Sequence, residues 1–225
     1  MMNYGVPYSG GGFVANQSAD VRADFIRKVY SLFFLSLLVT VGVGALAAPY
    51  TPVVLGFWPI LLIAGFVCII ALSFAQRAAG WNLALLYLYS AIQGAILGPL
   101  LTLYEARYPG LPAQAGWLTI AVFGGLTAYV FMSKKDFSFL GGMLFMGLIA
   151  LIVAGIVSFF FHAAWLATAY SVVGVLIFSG YVLYDTSRIM TRLGPEDAVM
   201  GAVSLYLDFI NLFLFILRLL SSRRD

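Results

Sequence analysis

Residues 137–160 read FSFLGGMLFMGLIALIVAGIVSFF, twenty-four consecutive positions without a charged side chain. A helix that crosses a bilayer needs roughly 20 mostly apolar residues. Six further stretches meet or nearly meet that requirement, at 25–48, 53–75, 81–103, 117–133, 164–188 and 198–220. Little chain is left between them. The clearest connection, 105–114, carries Glu105, Arg107, Gln114 and two prolines. The expected fold class is therefore all-α: a polytopic membrane protein built as a seven-transmembrane-helix bundle over 23–225. Residues 1–22, beginning MMNYGVPYSGGGFVANQSAD, are expected to form a flexible N-terminal tail. That tail has neither a basic start nor a cleavage-type apolar core, so the first span is expected to be an uncleaved anchor.

Composition agrees with the spans. Apolar residues make up 63% of the 225-residue chain and charged residues 9%; an ordinary globular protein has about 45–50% and about 25%. A disordered chain and a disulfide-built secreted module are excluded, since the single cysteine, Cys68, has no second thiol to join. A nucleic-acid partner is excluded too. The net charge is only +3, and the basic residues flank apolar runs instead of forming a patch. With an N-terminus in the cytoplasm, Arg22, Arg27, Lys28, Arg77, Lys134, Lys135, Arg188 and Arg192 all face that side. The outer loops then hold only Arg107, which is a positive-inside pattern. Arg218, Arg223 and Arg224 would lie outside after seven crossings, or inside if the last segment dips in and returns. Trp58, Trp81, Trp117 and Trp165 mark span ends, where an amphipathic ring prefers the headgroup layer. Pro99, after Gly98, is expected to kink or break the third span, and Gly94 and Gly98 form a small-xxx-small pair suited to close helix packing.

Two carboxylates fall inside spans: Asp185 in VLIFSGYVLYDTSRIM and Asp208 in SLYLDFINLFLFIL. A carboxylate near the bilayer centre costs several kcal/mol, so such residues face the bundle interior. The two lie at nearly equal distances from the turn at Gly194-Pro195-Glu196. In an antiparallel helix pair they reach the same level, about 10–15 Å from the cytoplasmic edge. Helical periodicity puts Ser171, Gly174, Phe178, Tyr181, Asp185 and Arg188 on one stripe, and Ser204, Asp208, Asn211, Phe215 and Arg218 on the other. Two close carboxylates in a low dielectric cannot both ionise cheaply, so the pair is expected to share a proton and to change charge with cytoplasmic pH. Ser204 and Asn211 are the expected polar lining. The two acids also offer oxygen ligands for a hard cation such as Ca²⁺. Arg77, at the end of the second span, and Arg188, one turn after Asp185, are the candidate cations for an ion-pair latch. In the alternative reading, Asp185 simply pairs with Arg188 and Asp208 is a hydrogen-bonded structural residue.

YVLYDTSRIM at 181–190, followed by AVSLYLDFINLFLFILRLL at 202–220, resembles the C-terminal signature of the Bax inhibitor-1, or transmembrane Bax-inhibitor-motif, family. SKKDFSFLGG at 133–142 is a second matching stretch. The resemblance covers nearly all of the chain after about residue 22 and suggests a bacterial-type member. It implies a bundle whose last helix is central, a di-aspartyl pH sensor at Asp185 and Asp208, and a latch at Arg77. It further implies a pH-sensitive calcium leak with protons and calcium as the ions handled, no resident cofactor and no enzymatic activity. The expected location is the bacterial inner (plasma) membrane with a cytoplasmic N-terminus. Eukaryotic relatives suppress cell death, and one bacterial branch modulates a membrane quality-control protease. One departure is that some members carry a glutamate within the second span, whereas 53–75 has no acidic residue.

Two other classes compete with the leak. A non-transporting regulator of a quality-control protease or channel is compatible with short loops. An intramembrane aspartyl protease would also use two membrane aspartates, as acid and base around a water. Tyr184-Asp185 resembles the first half of that signature, but the second half, normally Gly-x-Gly-Asp, reads Leu205-Tyr206-Leu207-Asp208. The bulky residues there leave no room for substrate backbone. His162, the only histidine, is expected in an outer loop. Tyr89, Ser90 and Gln93 are expected to make helix–helix hydrogen bonds.

Overall fold

The computed structural model describes residues 12–75, 80–160 and 164–224. Among these residues every regular element is helical: α1 (Ala19–Ala47), α2 (Thr51–Gly56), α3 (Trp58–Phe74), α4 (Trp81–Arg107), α5 (Leu111–Ser133), α6 (Gly141–Phe160), α7 (Ala164–Thr191) and α8 (Ala198–Ser221). Six stretches are long and apolar enough to cross a membrane, and α3 is a shorter apolar helix of 17 residues. At about 25 Å, α3 falls slightly short of a typical hydrocarbon core.

The ends of the helices explain the differences from the expected limits. Ser18 caps α1 by accepting the Val21 N–H at 3.5 Å, so the first helix starts before the apolar run. The expected second span divides at Phe57, where the backbone leaves helical geometry and Pro59 opens α3. The fourth starts early because Gly110, at φ +79°, turns the chain and Pro112 follows in the first turn. The Glu105 carboxylate accepts the Gly110 N–H at 2.9 Å and closes that corner. α4 runs continuously through Pro99, so the expected break is absent.

Packing is uneven. α1 lies along α4 at backbone contact: a methyl built on Gly94 would sit 2.5 Å from the Thr40 carbonyl oxygen, and one on Gly98 would overlap the Gly44 carbonyl. This is the close approach anticipated for the small-xxx-small pair. α8 packs on α7, α1, α5 and α4. Tyr206, Leu205, Leu212 and Leu217 of α8 are fully enclosed. α3 rests chiefly on α4, and α6 chiefly on α7. Their outer faces, including Ile63, Phe66, Met146 and Ile152, are exposed apolar surface suited to acyl chains. α8 traverses the bundle without a break, about 36 Å. Its far end meets Thr168 near the start of α7, where the Thr168 and Ser222 hydroxyls lie 3.3 Å apart. Arg224 also reaches Gln114 at the start of α5, at 3.2 Å. The last segment is thus one continuous helix, long enough to cross a membrane, that ends beside the starts of α5 and α7.

Of the N-terminal segment, residues 1–11 lie outside the described residues. From Gly12 onward the chain lies against the bundle: Val14 is fully buried and donates its N–H to the Leu193 carbonyl at 2.8 Å.

Candidate functional site

The α7–α8 hairpin turns at 192–197, where Gly194 donates its N–H to the Asp197 carboxylate at 3.0 Å. The two stripes read from helical periodicity face each other across this hairpin. Phe178 stacks on Phe215 with ring centroids 5.6 Å apart, and Gly174 leaves the space that the Phe215 ring occupies. One turn or more toward the hairpin lie the acids. Asp185 is 7% exposed and Asp208 4%. Each carboxylate lies within electrostatic reach of the other, and Tyr181, on the preceding turn of α7, is within reach of both.

Their partners differ. Asp185 has the Arg188 guanidinium at 3.7 Å, a stretched ion pair, and the Ser204 hydroxyl beside it. Arg188 itself is one-third exposed and extends to the Met200 sulfur at 3.5 Å. Asp208 has one oxygen, Oδ2, that is enclosed and makes no hydrogen bond among the described residues. The Asn211 amide is committed to its own helix, donating to the Leu207 carbonyl at 2.8 Å. Ser204 thus joins the acid pair, whereas the Asn211 amide makes no hydrogen bond to it among the described residues. Arg77 and His162 lie outside the described residues.

Among the described residues no three metal-ligating side chains of His, Cys, Asp or Glu converge. The two carboxylates and the Ser204 hydroxyl would furnish part of a calcium shell, which takes 6–8 oxygens. The enclosed, unbonded Oδ2 of Asp208 is the atom best suited to receive a proton or a cation.

Two polar arrangements were not expected in full. Tyr206, buried on α8, has its hydroxyl 2.6 Å from Thr40 of α1, and Thr40 also lies 3.0 Å from the Ser90 carbonyl of α4. Tyr89 packs edge-on against the Tyr206 ring and accepts the Gln93 amide at 2.7 Å. Thr40 and Tyr206 gave no sequence signal, because an aromatic in an apolar run reads as core. The second arrangement is at the loop between α5 and α6, beside the end of α7. Arg192 pairs with Asp136 at 3.0 Å, and the buried Ser187 hydroxyl accepts the Phe137 N–H at 2.9 Å. Asp136 also accepts the Ser138 N–H at 2.9 Å. Its bonds with Ser138, and then Arg192, hold the Asp136 carboxyl down to about 2.

The family model described as "Inhibitor of apoptosis-promoting Bax1" matches residues 22–225. The chain belongs to the Bax inhibitor family. Among members of that family, Protein lifeguard 4 of Mus musculus is 34% identical over 224 residues, covering 96% of this chain and 92% of the mouse protein. Bax inhibitor 1 of Schizosaccharomyces pombe is 37% identical over 216 residues, covering 92% and 79%. An uncharacterized membrane protein of Vibrio cholerae is 36% identical over 214 residues, covering 92% and 95%. The Bax inhibitor match begins at residue 22 and so takes in all eight helices except the first turn of α1.

Proposed function

We propose that this Bax inhibitor family protein is a pH-sensitive calcium leak, gated by the proton shared between Asp185 and Asp208. The observation that carries the proposal is the enclosed acid pair. It has one stretched cation contact at Asp185 and an unbonded oxygen at Asp208. One guanidinium compensates one carboxylate, so the neutral pair is completed by one proton. Loss of that proton leaves an uncompensated charge between α7 and α8, which favours separation of the two helices or entry of a cation. α8 serves as the central post of the bundle. The protein lies in a bacterial plasma membrane with its N-terminus in the cytoplasm, and Arg77 acts as the second latch. No covalent chemistry is assigned to it.

Purified protein in liposomes, with calcium flux followed across pH 5–8, tests the gate. A pH-dependent flux that loses its pH dependence in the Asp185→Asn, Asp208→Asn double variant is the expected result. A double variant with the parent's pH profile would refute the gating role.

A second reading has its own support. Relatives bear the names Bax inhibitor 1 and, in vaccinia virus, Golgi anti-apoptotic protein, which describe regulators and not transporters. A protein without flux at any pH that co-purifies with a membrane protease would establish that reading here.

A further inference from the structure

We propose that the protein holds one phosphatidylethanolamine molecule at the end of the bundle that carries the α7–α8 hairpin. Its phosphate meets Lys28, its ammonium meets Glu196, and an acyl chain runs between α3 and α8. The site begins as a cavity of about 1000 Å³ framed by α1, the start of α4 and the hairpin, at the upper end of the roughly 300–1,000 Å³ range of ligand pockets. Its walls are mixed. Lys28, Glu196 and Asp197 supply charge, while Leu32, one turn along α1 from Lys28, and Leu83 and Val199 supply apolar surface. Val199 is also a wall of a second, smaller and mainly apolar cavity. That slot lies between Ile69, Leu72 and Ser73 of α3 and Met200 and Val203 of α8. It arises because α3 rests chiefly on α4, so its last turns leave a gap to the first turns of α8. A charged chamber therefore shares a wall with a greasy slot, which is the shape of a headgroup joined to a chain.

The charges choose the headgroup. Among the described residues, four charged side chains border the chamber, two of each sign. Two of these are already committed. Arg192 pairs with Asp136 at 3.0 Å, and Asp197 accepts the Gly194 N–H at 3.0 Å. Lys28 and Glu196 are exposed, and neither joins an ion pair among the described residues. One free cation and one free carboxylate match one phosphate and one primary ammonium. A phosphatidylglycerol headgroup has no ammonium, so its phosphate would meet Glu196 only as a like charge. A soluble phosphoethanolamine ester would satisfy the charges but leave the slot without an apolar occupant. Asp185 and Asp208 line neither cavity, so this site stands or falls separately from the proposed gate.

Native mass spectrometry of the full chain tests the site, with dioleoyl phosphatidylethanolamine, dioleoyl phosphatidylglycerol or glycerophosphoethanolamine added to the detergent. A single phosphatidylethanolamine adduct should survive activation that strips phosphatidylglycerol. Lys28→Ala should weaken that adduct about tenfold, as loss of one charge-assisted contact does. Glu196→Gln should erase the preference between the two lipids. Ser73→Phe, which fills the slot from α3, should weaken both lipids alike. All three substitutions are at exposed positions, so the lipid-free variants should melt with the parent. Equal retention of the two lipids by the parent, or a Lys28→Ala adduct as stable as the parent's, would overturn the proposal. So would full competition by glycerophosphoethanolamine, which has the charges without the chains and would mark a soluble phosphate ester as the ligand.

Discussion

Gly98 of α4 rides directly on the backbone of Gly44 in α1, so close that any side chain on Gly98 would overlap the Gly44 carbonyl oxygen. The obstacle is main chain, which cannot rotate aside as a side chain would. Gly98→Ala should therefore cost about 1–3 kcal/mol, the usual range for overpacking. Gly116→Ala in α5 is the control, since a methyl there meets nothing within 4 Å. Thermal melts in detergent should show a clear drop for the first and little change for the second.

Thr40 joins three helices through one hydroxyl, with contacts to the Ser36 and Ser90 carbonyls and the Tyr206 hydroxyl. Thr40→Val removes them all and takes from the buried Tyr206 hydroxyl its partner at 2.6 Å. Tyr206→Phe leaves Thr40 with both carbonyls. The valine variant should be the less stable of the two, by roughly 0.6–1.7 kcal/mol, the span measured for interhelical bonds in membranes. The ranking of their unfolding free energies in detergent or bicelles checks it.

Asp136 supplies a pH prediction of definite sign. Its carboxyl is held at about 2, below its ordinary 3.8, by Ser138 and then Arg192. A depressed carboxylate stabilises the fold fully above its unfolded value and loses that contribution as pH falls through about 2. Between pH 5 and 8 its contribution is constant. Asp136→Asn should lower the melting temperature by the same amount across that range, and should leave any flux response to pH unchanged. A pH-dependent difference between variant and parent over pH 5–8 would show the assignment to be wrong.

Arg188 is the one cation found beside the acid pair among the described residues. Its guanidinium is partly exposed, but the Asp185 carboxylate 3.7 Å away is buried, so removing the cation leaves a buried charge unpaired and should cost about 3–5 kcal/mol. Arg188→Ala should also move the pH response of flux, whereas Arg192→Ala, bound to Asp136 instead, should not. Paired flux titrations of the two variants separate these roles.

Most of the bundle was legible in the chain because lipid imposes a length on every span and a period on every interior face. The acid pair was legible for a further reason. A short turn fixes the register of two helices, so distance from Gly194–Glu196 gives depth. Thr40 and Tyr206 escaped notice because they are 166 positions apart and neither breaks the local apolar pattern. The break at Phe57 was hidden inside an unbroken apolar run, where hydropathy carries no information about backbone direction. At Pro99 the helix continues without a break, since a proline removes one hydrogen bond but leaves the rest of the ladder intact. The sequence alone places Val14 in the N-terminal tail. Its burial depends on the hairpin carbonyl of Leu193, a partner with no mark in the surrounding sequence.

The unequal enclosure of the helices bears on how freely the gene can drift. Along α6, Met143, Met146, Ile149, Val153 and Ile156 look outward, and oil tolerates any greasy substituent. Along α8, Leu205, Tyr206, Leu212 and Leu217 are fitted on every side. A library that scrambles Leu, Ile, Val and Phe over the first set should yield mostly folded proteins, and the same alphabet over the second should yield few.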